Sequence, residues 1–359
     1  MTGTQDIFTG YAGLEPFVLE DVKTHLQVYK FEPRPLDADE VEIQVSACGI
    51  CGSDVHQLTN GWKRANYPLI AGHEFIGKVT AIGDQVVNIK LGQRVGVSPI
   101  CRSCGDCAQC ISSHSQLCPD KVPTYNGKYK GFSTFGGYAD KVRVQAAWTI
   151  PIPENISNDE GAPLLCAGIT TYLPFKHQNI GPETSVGIIG IGGLGHLAIQ
   201  WAKAKKCPKI LAISTSTRKQ DDATKLGATD FVVLDKNGNF EDQYARSVDV
   251  LLVCGSGKST NWGKLSELIK TRGKMVLIDV PDEPILLPAA ALVYQHISLI
   301  GTFVGSNDDL KEMLQFASET GVRPWIQTVE NTLEGVNGGI NDLINGKARY
   351  RVVINGEGR

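Results

Sequence analysis

Four cysteines lie in one short stretch of the chain with regular spacing. The pattern is C-x2-C-x2-C-x7-C, formed by Cys104, Cys107, Cys110 and Cys118. Four thiolates complete the tetrahedral coordination of zinc and leave no open position, so the pattern predicts a structural zinc site. Cys101 adds another C-x2 step and suggests an iron–sulfur motif, although the last spacing differs and no proline follows Cys110. From the sequence alone, that motif stays an alternative.

A second set of potential zinc ligands is dispersed along the chain. Cys51 lies in the segment CGSDVH, His73 and Glu74 follow in AGHE, and Cys166 lies in APLLCAG. Two thiolates and one imidazole leave a fourth position on zinc for water or substrate, which is typical of catalytic sites. Because Cys166 is remote in sequence, the spacing does not establish this group.

A glycine-rich motif, G-x-G-x-x-G, lies between a predicted strand and a predicted helix. In this motif the first glycine permits a tight turn, and the second lets a pyrophosphate approach the backbone. The third lets the helix pack against the strand and leaves the phosphate at the helix N-terminus. The motif predicts a dinucleotide site that includes Gly190, Gly192, Gly193, Leu194 and Gly195.

The residues after the next predicted strand favour NADP(H) over NAD. A carboxylate at this point would bind the ribose 2′-hydroxyl of NAD and repel a 2′-phosphate. No acidic residue occurs between Lys209 and Lys219. Hydroxyl groups and cations are available to the phosphate instead, on Ser214, Thr215, Ser216, Arg218 and Lys219. Alternatively, Arg218 and Lys219 only open a solvated helix.

The elements that must position these residues fall into two regions. Before about residue 150, short alternating segments such as EVEIQVSACGI predict a β-rich domain. Later, apolar strands alternate with helical segments, which predicts a parallel sheet covered on both faces, a doubly wound α/β domain. The predicted strands are Thr184–Ile191, Lys209–Ser214, Phe231–Leu234, Val248–Val253, Lys274–Asp279 and Ile297–Thr302, and the first two helices are Leu194–Lys206 and Thr217–Leu226. We expect one domain at 1–160 and 303–359, and the other at 161–302.

Composition and charge exclude several classes of partner. The 359 residues carry 35 basic and 38 acidic side chains, a formal net charge of −3, so bulk charge favours neither nucleic acid nor an anionic membrane. No apolar run approaches the roughly 20 residues that span a bilayer, and the N-terminal segment lacks a secretory pattern. We therefore expect a cytoplasmic protein whose ten cysteines include metal ligands rather than disulfides.

Taken together, these segments resemble the zinc-containing medium-chain alcohol dehydrogenases. The segments CGICGSDVH, AGHEFIG, the four-cysteine pattern, LLCAGITTY, GIGGLGH and GTFVGS occur in the family's order. The STSTRK and LCAGITTY segments look like the NADP(H)-using branch of the cinnamyl alcohol dehydrogenase type. The resemblance implies a GroES-like catalytic domain, a Rossmann cofactor domain and two zinc ions per subunit. It also implies a homodimer joined through the cofactor domain, for which Ile297–Val304 is a suitably apolar strand.

The resemblance also assigns roles to residues. Cys51, His73 and Cys166 would hold the catalytic zinc, with Glu74 as an alternate fourth ligand. The family's structural zinc would take Cys104, Cys107, Cys110 and Cys118. Asp54 would orient His73. Ser53 would accept the alcohol proton and pass it through the ribose hydroxyl to His56.

The substrate is implied by the resemblance too. It implies primary alcohols and aldehydes, aromatic ones of the cinnamyl and benzyl types and medium-chain aliphatic ones, with aldehyde reduction favoured. Trp62 and Tyr67 either line a substrate channel or pack within a surface loop. The chain departs from the family at two positions. Gly52 replaces a basic residue that contacts the pyrophosphate in some relatives, so the glycine-rich turn must contribute more to binding it. Thr215 replaces a longer polar or basic side chain of many NADP-dependent relatives, which weakens the NADP(H) interpretation. An NAD-linked polyol or secondary-alcohol dehydrogenase, and a non-catalytic zinc- and nucleotide-binding protein, are the alternatives.

Overall fold

The chain forms two compact units. The computed structural model of the protein describes residues 6–18, 26–257, 260–281 and 283–356. The first unit comprises Met1–Cys166, Gly305–Glu319 and Arg323–Arg359, and the second comprises Ala167–Val304 and Thr320–Val322. The sequence-based division after residues 160 and 302 stays a prediction. In the structure Cys166 belongs to the first unit, together with the other three potential ligands of the dispersed set.

Strands dominate the first unit, and strands alternate with helices in the second. The strands are β1 (Phe8–Gly13), β2 (Leu26–Phe31), β3 (Glu40–Ile50), β4 (Phe75–Ile82), β5 (Arg94–Val97), β6 (Ile100–Arg102), β7 (Val122–Pro123), β8 (Lys128–Tyr129), β9 (Phe132–Ser133), β10 (Lys141–Gln145), β11 (Thr149–Pro151), β12 (Val186–Ile189), β13 (Ile210–Ser214), β14 (Asp230–Val233), β15 (Val248–Val253), β16 (Ile269–Leu277), β17 (Ser298–Gly301), β18 (Ile326–Glu330) and β19 (Arg351–Asn355). The helices are α1 (Gly52–Leu58), α2 (Ala108–Ile111), α3 (Asn158–Pro163), α4 (Ile169–His177), α5 (Gly195–Ala204), α6 (Gln220–Leu226), α7 (Trp262–Glu267), α8 (Ala289–Gln295), α9 (Asn307–Thr320) and α10 (Leu333–Ile344).

The first unit is built on one mixed sheet. Its strand order is β11-β5-β4-β3-β19-β18, and β10 also pairs with β3. The long strand β3 carries the alternating segment EVEIQVSACGI, and its two neighbours β4 and β19 both run antiparallel to it. Strand β3 ends at Ile50, where β4 and β19 begin. Residues at these three strand ends therefore lie close together, at the same end of the strands. Apolar side chains of these strands form the core of the unit.

The second unit confirms the predicted doubly wound α/β fold. Its six strands are parallel in the order β14-β13-β12-β15-β16-β17. Counted within the unit, this is the order 3-2-1-4-5-6 of dinucleotide-binding sheets. Strand β15 has the predicted bounds, whereas β12 is shorter than predicted and β16 begins earlier, at Ile269. The apolar pattern did not predict the first part of β16, because Lys270, Thr271 and Arg272 are polar and at least partly exposed.

Among the described residues, no helix is long and apolar enough to cross a membrane.

Candidate zinc and cofactor sites

Four dispersed side chains meet within the first unit. One ligand atom from each of Cys51, His73, Glu74 and Cys166 lies within 4.8 Å of those of the other three, and we call this group the Cys–His–Glu cluster. Glu74 is completely buried, and His73 and Cys166 are nearly so. The structure thus brings Cys166 to the other three ligands, which the sequence spacing did not establish.

The secondary structure accounts for this meeting. Cys51 directly follows β3 and is the N-cap residue of α1, while His73 and Glu74 directly precede β4. Cys166 lies in a π-helical turn, Leu164–Gly168, that follows α3. Such turns are rare in proteins and are frequently found at functional sites.

Asp54 is the centre of a buried hydrogen-bond network beside the cluster. Its Oδ1 lies 3.0 Å from Nδ1 of His73, and its Oδ2 accepts the backbone N–H of Cys51 at 2.8 Å. The Tyr138 hydroxyl donates to the same carboxylate at 3.2 Å. Burial lowers the pKa of His73, but the adjacent Asp54 carboxylate and Cys51 together raise it, so the net pKa is well above its usual value. Asp54 therefore fixes the orientation of the imidazole.

Arg351, which the sequence reasoning missed, forms a buried ion pair with Glu74. Nη2 of Arg351 donates to Oε1 of Glu74, while Oε2 of Glu74 has no hydrogen-bond partner among the described residues. Burial raises the pKa of Glu74 to about 7, although the charge of Arg351 opposes that shift. The signal in the sequence was an arginine at the start of the apolar segment RVVI, where a buried charge needs a partner.

The Cys–His–Glu cluster fits a zinc ion. Tetrahedral zinc with usual bond lengths holds a nitrogen and a sulfur ligand about 3.6 Å apart. Nε2 of His73 lies 3.2 Å from Sγ of Cys166, slightly closer than that. A hydrogen bond from Cys166 lowers the pKa of Cys51 well below its usual value, which makes a thiolate available. The orphaned Oε2 of Glu74 is an additional buried oxygen that a cation would satisfy.

The four regularly spaced cysteines also meet, and we call them the four-cysteine lobe. Their sulfurs lie within 4.8 Å of one another, in Cys104, Cys107, Cys110 and Cys118. Tetrahedral zinc holds two sulfur ligands about 3.8 Å apart. Sγ of Cys104 lies 3.9 Å from Sγ of Cys110 and 3.5 Å from Sγ of Cys118, so the lobe also fits zinc.

Cys101 is not part of the four-cysteine lobe. It is buried, and its thiol lies 3.5 Å from each of the carbonyl oxygens of Val122 and Pro123. Burial raises the pKa of this thiol to about 12. The group of cysteines whose sulfurs meet contains Cys118 and not Cys101, so the geometry does not support an iron–sulfur run from Cys101 to Cys110.

The remaining predicted catalytic side chains lie on α1. Ser53 and His56 are both partly buried, and the Ser53 carbonyl accepts the Tyr125 hydroxyl at 3.3 Å. Trp62 stacks on the His56 ring, while the Tyr67 hydroxyl donates to the Leu58 carbonyl at 2.9 Å. Of the two aromatic residues in the loop after α1, Tyr67 thus has a packing role.

A cleft in the second unit contains most of the predicted cofactor residues. Its volume is about 800 Å³, and the predicted residues that line it are Gly190, Gly192, Ser214, Thr215, Ser216, Arg218 and Lys219. Gly193, Leu194 and Gly195 do not line it but open α5, for which Leu194 is the N-cap residue. The sequence reasoning missed other residues that line the cleft, which include Gly255, Ser256, Thr260 and Asn261.

The three glycines of the motif differ in their surroundings. Gly190 has φ +85°, and a Cβ there would lie 2.7 Å from the Gly255 nitrogen. A Cβ on Gly195 would lie 2.2 Å from the Gly190 carbonyl oxygen, whereas one on Gly192 would meet nothing within 4 Å. The first and third glycines therefore permit the turn and the close packing, and the second leaves the backbone open to a ligand.

The end of β13 offers hydroxyl groups and cations to the cleft. Lys219 is partly buried, burial lowers its pKa, and its ammonium donates to the Ile191 carbonyl at 2.7 Å. One acidic residue that the sequence reasoning did not weigh, Asp235, lines the cleft beyond β14. Its Oδ1 accepts the backbone N–H groups of Asn237 and Asn239, each at 2.8 Å. That carboxylate is therefore occupied within its own loop.

Both halves of the chain match known family models. An alcohol dehydrogenase GroES-like domain matches residues 37–154, and a zinc-binding dehydrogenase domain matches residues 193–319. These matches cover more than half of the chain and confirm the predicted pairing of a GroES-like domain with a Rossmann domain.

Relatives and solved structures agree with these matches. The chain is 37% identical to a probable mannitol dehydrogenase of Mesembryanthemum crystallinum, over 93% of this chain and 92% of that one. It is 33% identical to NADP-dependent alcohol dehydrogenase 6 of Saccharomyces cerevisiae, over 91% of each chain. A solved cinnamyl alcohol dehydrogenase of Sorghum bicolor superposes with a TM-score of 0.90 at 36% identity, covering 98% of both chains.

Proposed function

The chain belongs to the zinc-binding alcohol dehydrogenases, and we propose that it transfers a hydride between NADP(H) and primary alcohols or aldehydes. We propose aromatic substrates of the cinnamyl and benzyl types and medium-chain aliphatic ones, with aldehyde reduction as the main direction. The Cys–His–Glu cluster carries this proposal. It provides two cysteine sulfurs and one imidazole, a ligand set that would leave zinc a position for substrate.

Within the cluster, each side chain has its own task. Cys51, His73 and Cys166 would hold zinc, and Glu74 is the alternate ligand. When bound, zinc supplies Lewis-acid chemistry that polarises a carbonyl group or lowers the pKa of an alcohol. Nδ1 of His73 is hydrogen-bonded to Asp54, which leaves Nε2 to face the Cys166 sulfur.

The proton has a separate route along α1. Ser53 and His56 are three positions apart on this helix, so their side chains are neighbours on its surface. In aldehyde reduction the carbonyl oxygen gains a proton. We infer that Ser53 delivers that proton and that His56 takes it from solvent; in alcohol oxidation the direction reverses.

The cleft of the second unit would hold the cofactor. The open backbone at Gly192 and the N-terminus of α5 suit the pyrophosphate. The 2′-phosphate of NADP(H) suits the hydroxyl groups and cations at the end of β13, which belong to Ser214, Thr215, Ser216, Arg218 and Lys219. When bound, NADPH supplies the hydride.

Three further features belong to this proposal. The four-cysteine lobe would hold the structural zinc. A homodimer would form through β17, which lies at the edge of its sheet. Near that edge Leu299 is 41% exposed and Phe303 48% exposed, and an apolar sheet edge favours pairing with a second copy. We expect the protein to act in the cytoplasm. Light scattering of the purified protein tests the dimer.

The first experiment separates the two nicotinamide cofactors. With cinnamaldehyde as substrate, we expect rapid oxidation of NADPH and much slower oxidation of NADH. Ser214→Asp places a carboxylate beside the proposed 2′-phosphate site, so kcat/KM for NADPH should fall by on the order of 100-fold. Thr224→Asp, at an exposed position of α6, is the matched control and should leave the preference unchanged.

Other outcomes of this experiment favour the rival functions. Faster oxidation of NADH than of NADPH by the wild type would overturn the assignment of the phosphate site but keep the enzyme class. Oxidation of mannitol with NAD, and no reaction with cinnamaldehyde, would favour the polyol dehydrogenase. A zinc-loaded protein that acts on none of several aldehydes and alcohols would favour the non-catalytic function.

A further inference from the structure

The imidazole of His56 is stacked on an indole ring. The ring centroids of His56 and Trp62 are 4.8 Å apart, and the planes are inclined by only 9°. This separation lies at the short end of the range for stacked aromatic side chains. Trp62 is partly buried and belongs to the loop that follows α1.

That loop is tied to its surroundings on both sides of Trp62. Before it, the backbone N–H of Gly61 donates to the His56 carbonyl at 2.8 Å. After it, the Arg64 carbonyl accepts the side-chain amide of Asn126 at 3.1 Å, and Asn126 also donates to the Gln57 side chain of α1 at 2.9 Å. These bonds fix the position of the loop relative to the helix that carries His56.

The loop also limits the space around the imidazole. A Cβ on Gly61 would lie 3.2 Å from Nδ1 of His56, so the loop backbone is close to the ring. Asn60 adopts the left-handed conformation, φ 54°, and its side chain accepts the backbone N–H of Ala65 at 3.0 Å. The turn therefore has one defined geometry, which sets Trp62 against His56.

Stacking, and not a hydrogen bond of its own, positions the indole. Nε1 of Trp62 is shielded from solvent and has no hydrogen-bond partner among the described residues. The guanidinium carbon of Arg64 lies 5.2 Å from the centroid of the indole ring, a cation–π contact. The indole thus contacts both an imidazole and a cation.

We propose that Trp62 is a positioning residue for proton transfer, because its indole holds the imidazole of His56 in one orientation. The proposal rests on the proposed function, in which His56 exchanges the proton with solvent. A stacked ring reduces the number of orientations that the imidazole can adopt. A misplaced proton donor or acceptor slows the transfer without weakening substrate binding.

The test compares Trp62→Leu with Trp62→Phe. Loss of the ring in W62L should lower kcat about five-fold with little change in KM for cinnamaldehyde. W62F keeps an aromatic face and should recover most of kcat. Free imidazole in the buffer should restore W62L activity, because a dissolved base replaces a badly placed one. Lys63→Gln, at an exposed neighbouring position, is the control and should behave as the wild type.

His56→Gln separates the failure of this inference from that of the proposed function. We expect H56Q to lose kcat about ten-fold or more and to respond to free imidazole. A loss in H56Q with wild-type kcat in W62L would overturn the role of Trp62 alone. Wild-type kcat in H56Q would overturn the proton route itself. A raised KM in W62L with unchanged kcat would make Trp62 a substrate contact, and a loss that imidazole does not restore would make its role structural.

Discussion

The Cys–His–Glu cluster and the four-cysteine lobe differ in burial and in charge. The cluster is almost wholly buried, whereas in the lobe Cys104 is exposed, Cys107 and Cys110 are half-buried and only Cys118 is buried. With zinc bound, the thiolates of Cys51 and Cys166 would balance the charge of Zn²⁺ and Arg351 would balance Glu74, whereas the four thiolates of the lobe would leave a net charge of −2. A neutral site tolerates burial and a charged one needs solvent, which matches where each group lies.

The two groups also differ in what surrounds them. The cluster has further buried polar partners, since Asp54 contacts His73 and Arg351 pairs with Glu74. Such partners would set orientation and charge around a metal ion with an open position. A closed site depends less on such buried polar partners, because four identical ligands complete the coordination. We therefore expect the cluster to govern activity and the lobe to govern stability.

The largest expected effect is that of removing one ligand from the cluster. Cys166→Ala should lower kcat/KM for cinnamaldehyde by about 1000-fold or more, because zinc would lose a ligand at the reacting centre. Metal analysis should still find the zinc of the lobe. Steady-state NADPH oxidation and zinc content per chain are the measurements.

Cys207→Ala is the matched control for that prediction. Cys207 is a buried cysteine of the second unit, where burial raises its pKa to about 11. The C207A variant should keep both zinc ions and full activity. If C166A kept wild-type activity, the expectation that the cluster governs activity would be wrong.

Removing one ligand from the lobe should have a smaller effect, and it should change stability and not activity. Cys118→Ala removes the buried ligand of the four. We expect the free energy of unfolding to fall by about 3 kcal/mol, because metal binding contributes to the stability of the folded state. One zinc per chain should be lost, while kcat of the folded fraction stays close to that of the wild type. Thermal unfolding and metal analysis measure this.

A reversed result would break the comparison. If C118A kept its zinc and its thermal stability, the lobe would not be a structural metal site. If it lost kcat as strongly as C166A, the lobe and the cluster would not act separately.

The lobe could be read from the sequence because its ligands are local. Short spacing between cysteines restricts the chain enough to predict that the sulfurs meet. The cluster depends on the ends of β3 and β4 and on a turn near residue 166, so the spacing only suggested its ligands and the family resemblance assigned them. The doubly wound sheet was predictable from apolar runs, since buried parallel strands carry little else.

Other features of the site could not be predicted. Arg351 begins β19 far from Glu74 in sequence, and the two residues meet because β19 and β4, which Glu74 directly precedes, both pair with β3. Gly255 and Ser256, which also line the cleft of the second unit, follow β15 in a segment without a distinctive pattern. The stack of Trp62 on His56 needed the loop geometry, because spacing along a chain does not define ring planes.

The smallest effect is expected at Cys101. The iron–sulfur alternative requires this cysteine as a ligand, whereas the zinc site of the lobe does not. Its thiol contacts the carbonyl oxygens of Val122 and Pro123, and burial raises its pKa to about 12. Cys101→Ala should lower the free energy of unfolding by only about 1 kcal/mol and keep both zinc ions in a colourless protein. At about pH 8 the wild-type thiol stays protonated and covered, so mass spectrometry should find it unlabelled by a thiol reagent. Loss of metal in C101A, or visible absorption in the wild type, would make Cys101 a ligand and would remove the contrast between the cluster and the lobe.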